Sequence, residues 1–159
     1  MPAPQPPTID PFEPARLGPH TLRNRFVKAA TFEGVTPDGV VNDRLIEFHR
    51  TVARGGVGMT TVAYCAVTPD GRGAPNELVL SPDLVPGLRR LADAVHAEGA
   101  AVAAQIGHAG AVAAATGHKG ISPSPVFSPL AMRRTRAATP SWTLARSSGC
   151  RQGCLPMPR

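Results

Sequence analysis

Gln105 and His108 bring an amide and an imidazole to the end of an uncharged apolar run, residues 100–106. A primary amide carries both a donor and an acceptor. An imidazole can transfer a proton, or simply tie down a loop, and a structural bond within its loop is the role expected of His108. Cys65 lies inside a second uncharged run, residues 57–66, and reads as a small buried apolar residue rather than a nucleophile. Asp70-Gly71-Arg72 continues the turn signal Thr68-Pro69-Asp70-Gly71, so its expected role is turn chemistry, not phosphate binding. Cys150 and Cys154 lack a second ligand pair, and no metal site is expected. His49 and His96 fall in helical stretches, where solvated or capping roles are expected.

The elements that would place these residues follow from local pattern. Gly18-Pro19 separates two short apolar stretches within residues 17–22, which suggests a small hairpin. Residues 25–31 (RFVKAAT) read as a short strand. Asn42 and Asp43 offer an N-cap, and Leu45, Ile46, His49, Val52 and Ala53 recur on one helical face until Gly55-Gly56. Residues 57–66 are apolar and rich in β-branched side chains, as in a strand buried on both faces. Ser81-Pro82-Asp83 opens a second helix, lined by Leu84, Leu88, Leu91, Ala92 and Val95 and closed by Gly99. Residues 100–106 form a third strand candidate.

Strand centres near 28, 61 and 103, with helices between them, predict βαβ units, a parallel sheet and an α/β fold class. Rossmann-like and (β/α)8 architectures both satisfy that order. No G-x-G-x-x-G follows the first strand, so the dinucleotide fingerprint is missing.

The totals bound the remaining choices. A chain of 159 residues with 42% apolar content suits one domain with a real core. Its net charge of +6 is unevenly placed. Acids and bases balance over residues 1–131, whereas residues 132–159 hold six Arg and no acid. A nucleic-acid interface would rest on that tail alone, with only Trp142 to stack on bases. Three cysteines imply no disulfide framework. Residues 1–7 lack the features of a signal peptide, and no apolar run is long enough to span a membrane. A cytoplasmic protein with neither membrane nor nucleic-acid partners is expected.

Four stretches together carry a resemblance. They are Leu22-Arg23-Asn24-Arg25-Phe26-Val27, Gly55-Gly56-Val57-Gly58-Met59, Val67-Thr68-Pro69-Asp70-Gly71-Arg72 and Gln105-Ile106-Gly107-His108-Ala109-Gly110. In this order and spacing, residues 11–138 resemble the N-terminal part of the old yellow enzyme family. Those are FMN-dependent NAD(P)H oxidoreductases on a (β/α)8 barrel. The resemblance implies an incomplete TIM barrel of about three βα units. It implies FMN as cofactor, NADH or NADPH as co-substrate, and a small enone-like substrate.

By the same resemblance, the flavin ring crosses the C-terminal strand ends. Ala29, Ala30, Thr31 and Phe32 follow the first strand, Ala63 and Tyr64 end the second, and Gln105 ends the third. Small residues admit a flat ring close to backbone, and the Gln105 amide can pair with the pyrimidine edge. Phe32 stands where relatives often carry a Cys or Thr that tunes the flavin. The catalytic side chains of the family come from the fourth strand onward, so none is assigned here.

The domain organisation expected is a disordered Pro-rich lead-in (1–10), a partial FMN-binding barrel (11–131) and an irregular basic tail (132–159). Periodicity ends beyond Met132, and the family pattern ends at Pro140, which suggests a lost reading frame near Thr139. Without the family's later phosphate contacts, the expectation is that FMN binds this chain weakly. Two alternative functions remain in view: a non-catalytic remnant of such an enzyme, and a basic-tail nucleic-acid binder.

Overall fold

The structure, a computed structural model, describes residues 9–113. The tail with Trp142, Cys150 and Cys154, the position near Thr139 where a lost reading frame is expected, and most of the Pro-rich lead-in lie outside the described residues.

A hairpin comes first. β1 (Ala15–Leu17) pairs antiparallel with β2 (His20–Leu22), and Gly18 turns the chain at φ 58. β3 (Val27–Lys28) is much shorter than the strand expected over residues 25–31. Among the described residues it pairs with one neighbour, through Val27 and Lys28, and beyond that pairing the chain continues as a loop.

The α1 helix (Asp43–Arg54) starts where the cap residues predict, with Asn42 Oδ1 accepting from the Leu45 N–H at 3.0 Å. Its buried stripe is Leu45, His49 and Ala53. Gly56 then takes φ 102, a conformation that glycine adopts without steric cost.

β4 (Met59–Ala66) is the central strand, with Thr60, Val62, Ala63, Cys65 and Ala66 buried. Met59, Thr61 and Tyr64 are half-buried, so burial on both faces holds only toward its C-terminal end. After a 3₁₀ turn at Pro69–Gly71 comes β5 (Leu78–Val79), too short to register in the sequence pattern. A second 3₁₀ turn (Pro82–Leu84) leads into α2 (Val85–Ala97), and Gly99 reverses the chain at φ 76. β6 (Ala101–Gly107) completes the sheet.

All pairings in this sheet are parallel. β4 pairs with β6 along most of its length. Its other edge is shared by β3 at Met59 and Thr60 and by β5 at Cys65 and Ala66. The core lies between the sheet and the two helices. Leu45 and Ala53 from α1 meet Val62 and Cys65 from β4, Leu78 from β5, and Leu91 and Val95 from α2. Burying such side chains contributes about 1.5–3 kcal/mol each, which is why short parallel strands persist under amphipathic helices. Toward the end of β6, Ala104, Gln105 and Ile106 are exposed, so both faces of the strand are open there.

Candidate functional site

The three sequence-predicted segments belong to adjacent parallel strands: residues 29–32 follow β3, Ala63 and Tyr64 lie in the C-terminal half of β4, and Gln105 lies near the end of β6. Val62 pairs with Ala104, and Cys65 pairs with Ile106. Ala63 and Tyr64 together therefore oppose Gln105 alone, as a β-bulge requires. Lys28 pairs with Thr60, so Ala29 begins a loop that leaves β3 near the start of β4, and Glu33 at the far end of that loop accepts from the Ala63 N–H. Alternation along β6 puts Gln105 on the face shared by Ala101 and Ala103.

Ala29, Thr31, Phe32 and Gln105 are exposed, Ala30 and Tyr64 are half-buried, and Ala63 is buried. The Tyr64 ring lies against Gly107. A Cβ at Gly107 would stand 2.7 Å from Tyr64 Cε2 and Oη, so only glycine admits the ring there. Burial and the nearby Glu77 charge both raise the Tyr64 phenol, which stays neutral. His108 behaves as the sequence reading expects: its Nδ1 accepts from the Gly110 N–H at 2.9 Å, and its ring covers Gly71. Asp70 and Gly71 sit in the 3₁₀ turn, and Arg72 donates to the carbonyls of Pro69 and Pro75. Cys65 is fully buried, and burial, with a smaller contribution from the Glu33 charge, pushes its thiol up to about 11.

His49 departs from the expectation of a solvated or capping helix residue. It is fully buried, and its Nδ1 lies 2.8 Å from Thr60 Oγ1. Its place on the Leu45–Ala53 stripe outweighs the usual preference of histidine for water. His96 is exposed on α2, as expected.

His49 leads to a cluster that the sequence reading missed. Glu33, with a side chain 2% exposed, directs Oε1 at Lys28 Nζ (2.8 Å) and accepts from the Ala63 N–H (3.3 Å). His49 Nε2 is 3.2 Å from the same oxygen, within ion-pair reach but off the line of a hydrogen bond. A carboxylate facing Nε2 assigns the ring proton there, and Nδ1 then accepts from the Thr60 hydroxyl. Lys28 also donates to the Thr61 carbonyl at 3.1 Å and lies over the Phe48 ring. Burial raises the Glu33 carboxyl, but His49, Lys28 and the Ala63 amide outweigh it, so the group is held below its ordinary value. Two signals were available: a lysine inside a strand candidate, and a histidine on an apolar helix face.

Among the described residues no cluster of His, Cys, Asp or Glu could hold a metal ion, and no helix is long and apolar enough to cross a membrane.

The profile of the NADH:flavin oxidoreductase / NADH oxidase family matches residues 10–141. A 4,4'-dithiodibutanoate disulfide reductase of Rhodococcus erythropolis is 62% identical over 135 residues, covering 84% of this chain and 34% of that protein. A metal reductase of Desulforamulus reducens is 45% identical over 121 residues, 75% of this chain and 18% of that one. Among solved structures, the old yellow enzyme homologue from Zymomonas mobilis superposes with a TM-score of 0.67 at 25% identity, covering 76% of this chain and 35% of that one. Morphinone reductase in complex with tetrahydroNAD gives 0.68 at 27% identity, covering 77% and 34%.

The chain thus spans about a third or less of these relatives. The likeness resolves the choice of architecture. β3, β4 and β6 with their two crossover helices are part of a (β/α)8 barrel, whose chemistry sits at the C-terminal strand ends. The family's cofactor is FMN and its co-substrate NAD(P)H. From the profile match, the barrel strands and these relatives together, the chain belongs to the NADH:flavin oxidoreductase / NADH oxidase family of enzymes.

Proposed function

We propose that the strand ends at Ala29, Ala63, Tyr64 and Gln105 form one side of an FMN site in an NAD(P)H-dependent oxidoreductase. The observation that carries the reading is the register that sets Gln105 opposite Ala63 and Tyr64, beside the loop from β3. The residues present suit the group. Ala29, Ala30 and Ala63 keep bulk away from a flat ring, and the exposed Gln105 amide offers a donor and an acceptor to the ring's polar edge. Thr31 adds a hydroxyl, and Phe32 supplies an exposed aromatic face.

FMN held there would supply hydride-transfer chemistry between a reduced nicotinamide and a small electrophile, with an electron-poor alkene as the first reading of the acceptor. The chain's own part is to orient and shield. The Gln105 amide would hold the ring's polar edge, and Tyr64, packed on Gly107, would line the neighbouring strand tip. A second reading of the acceptor is an organic disulfide, favoured by the disulfide reductase that is 62% identical over 135 residues.

The test is titration of the purified chain with FMN to millimolar concentration, followed by flavin fluorescence and visible absorbance. Saturable binding that Gln105→Leu weakens about tenfold supports the site, since a lost polar contact is worth about one decade. Unchanged binding in Gln105→Leu, or no saturation by the parent chain, removes it.

A further inference from the structure

We propose that Glu33 is a positioning residue for this site, one that holds two of its three segments in register through a single carboxylate oxygen. The inference rests on the reading of these strand ends as the flavin's support.

The bulge at Ala63 and Tyr64 interrupts the β4–β6 ladder, and the extra residue of a bulge is left unpaired. Ala63 is 6% exposed, so water does not readily take over its N–H. A buried backbone donor needs a partner, and Glu33 Oε1 is that partner. Glu33 directly follows Phe32, so the same contact ties the end of the loop carrying Ala29, Ala30, Thr31 and Phe32 to the bulge facing Gln105. One atom thus sets the spacing between the β3 loop and the tip of β4.

That oxygen is held in turn from the neighbouring elements. Lys28 reaches it from β3 and His49 approaches it from α1, while Thr60 on β4 anchors the far nitrogen of the imidazole. Replacing such a buried ionic group with apolar side chains is often neutral for stability. That neutrality holds when the whole cluster is replaced; within the cluster it is the acid that also fixes a backbone N–H beside the proposed ligand site. Glu33 Oε2 is buried and meets no hydrogen-bond partner among the described residues, so the carboxylate is oriented through Oε1 alone.

The experiment compares the parent chain with Glu33→Gln, which keeps the shape and an acceptor, and Glu33→Leu, which keeps neither charge nor acceptor. Amide exchange by NMR without FMN reads the bulge directly. FMN titration, with the visible flavin spectrum, reads the site. The expected result is faster exchange at Ala63, with FMN affinity lowered about 10-fold to 100-fold in Glu33→Leu and less in Glu33→Gln. Circular dichroism should stay unchanged in Glu33→Gln, which carries the test alone if Glu33→Leu does not fold.

If both variants bind FMN with parental affinity and spectrum, positioning by Glu33 is wrong while the flavin reading survives. Parental exchange at Ala63 in both variants also overturns it. If the parent chain does not bind FMN at all, the site reading fails and this inference fails with it, whatever the exchange at Ala63 shows.

Discussion

His49 on α1 and Thr60 on β4 are both fully buried, and their side chains meet at 2.8 Å in the layer between helix and sheet. The pair joins the first crossover helix to the central strand by a polar contact inside an otherwise apolar stripe. Removing one partner of such a contact costs more than the contact itself contributes, because the other is left without water or a partner. His49→Ala should destabilise the chain by about 2–4 kcal/mol, combining a cavity with an unpaired Thr60 hydroxyl. Urea unfolding followed by far-ultraviolet circular dichroism measures it, and a loss below about 1 kcal/mol would contradict this account.

Glu33 makes stability depend on pH in a definite direction. Its carboxyl is held below the ordinary 4.5 in the folded chain. A depressed folded value adds stability that is present above the unfolded value and disappears as pH falls through the folded one. The stability gap between the parent chain and Glu33→Gln should therefore be constant near neutrality and narrow as pH drops below about 4.5. Denaturant unfolding at several pH values gives the gap; a gap that widens on acidification contradicts the sign.

Arg23 joins the C-terminal ends of both helices. Its guanidinium donates to the Ala53 carbonyl at the end of α1, to Val57 O at 2.9 Å and to Glu98 O at 2.8 Å, just past α2. A cation suits helix C-termini, and the planar fork serves several carbonyls that an ammonium cannot reach together. These contacts lie before the start of β4, at the end of the strands away from Gln105. Arg23→Lys should lower stability by about 1–2 kcal/mol while leaving FMN affinity unchanged. A matching loss of FMN affinity in the folded variant would show that the two strand ends are coupled.

Gly107→Ala should displace the Tyr64 ring. The new methyl would stand 2.7 Å from the outer ring atoms, and a ring can move more cheaply than backbone. The expected stability loss is modest, about 1 kcal/mol. The sharper readout is NMR: Tyr64 is the sole tyrosine, so its ring signals can be followed without ambiguity. Unmoved ring signals would mean that the ring does not rest on Gly107.

Several elements were legible because their signals are local. The Asn42 cap, the glycine stops at Gly56 and Gly99, and the 3.6-residue stripes placed both helices. The uncharged runs placed β4 and β6 to within two residues. Gln105 was legible as a strand-end amide for the same reason. Two things escaped. β3 shrank to Val27–Lys28 because a strand lasts only as long as a neighbour pairs with it, and β5 is a two-residue pairing made, among the described residues, against β4.

The order of strands and helices, their caps and their apolar faces were set by neighbouring residues, and the sequence by itself determined them. Tertiary structure alone decided that two residues of β4 oppose one of β6, because register is a property of two distant segments. It also decided that Glu33 is an interior anion. An acid in a loop reads as surface, and only a lysine, a histidine and an amide converging from three other places in the chain make its burial affordable.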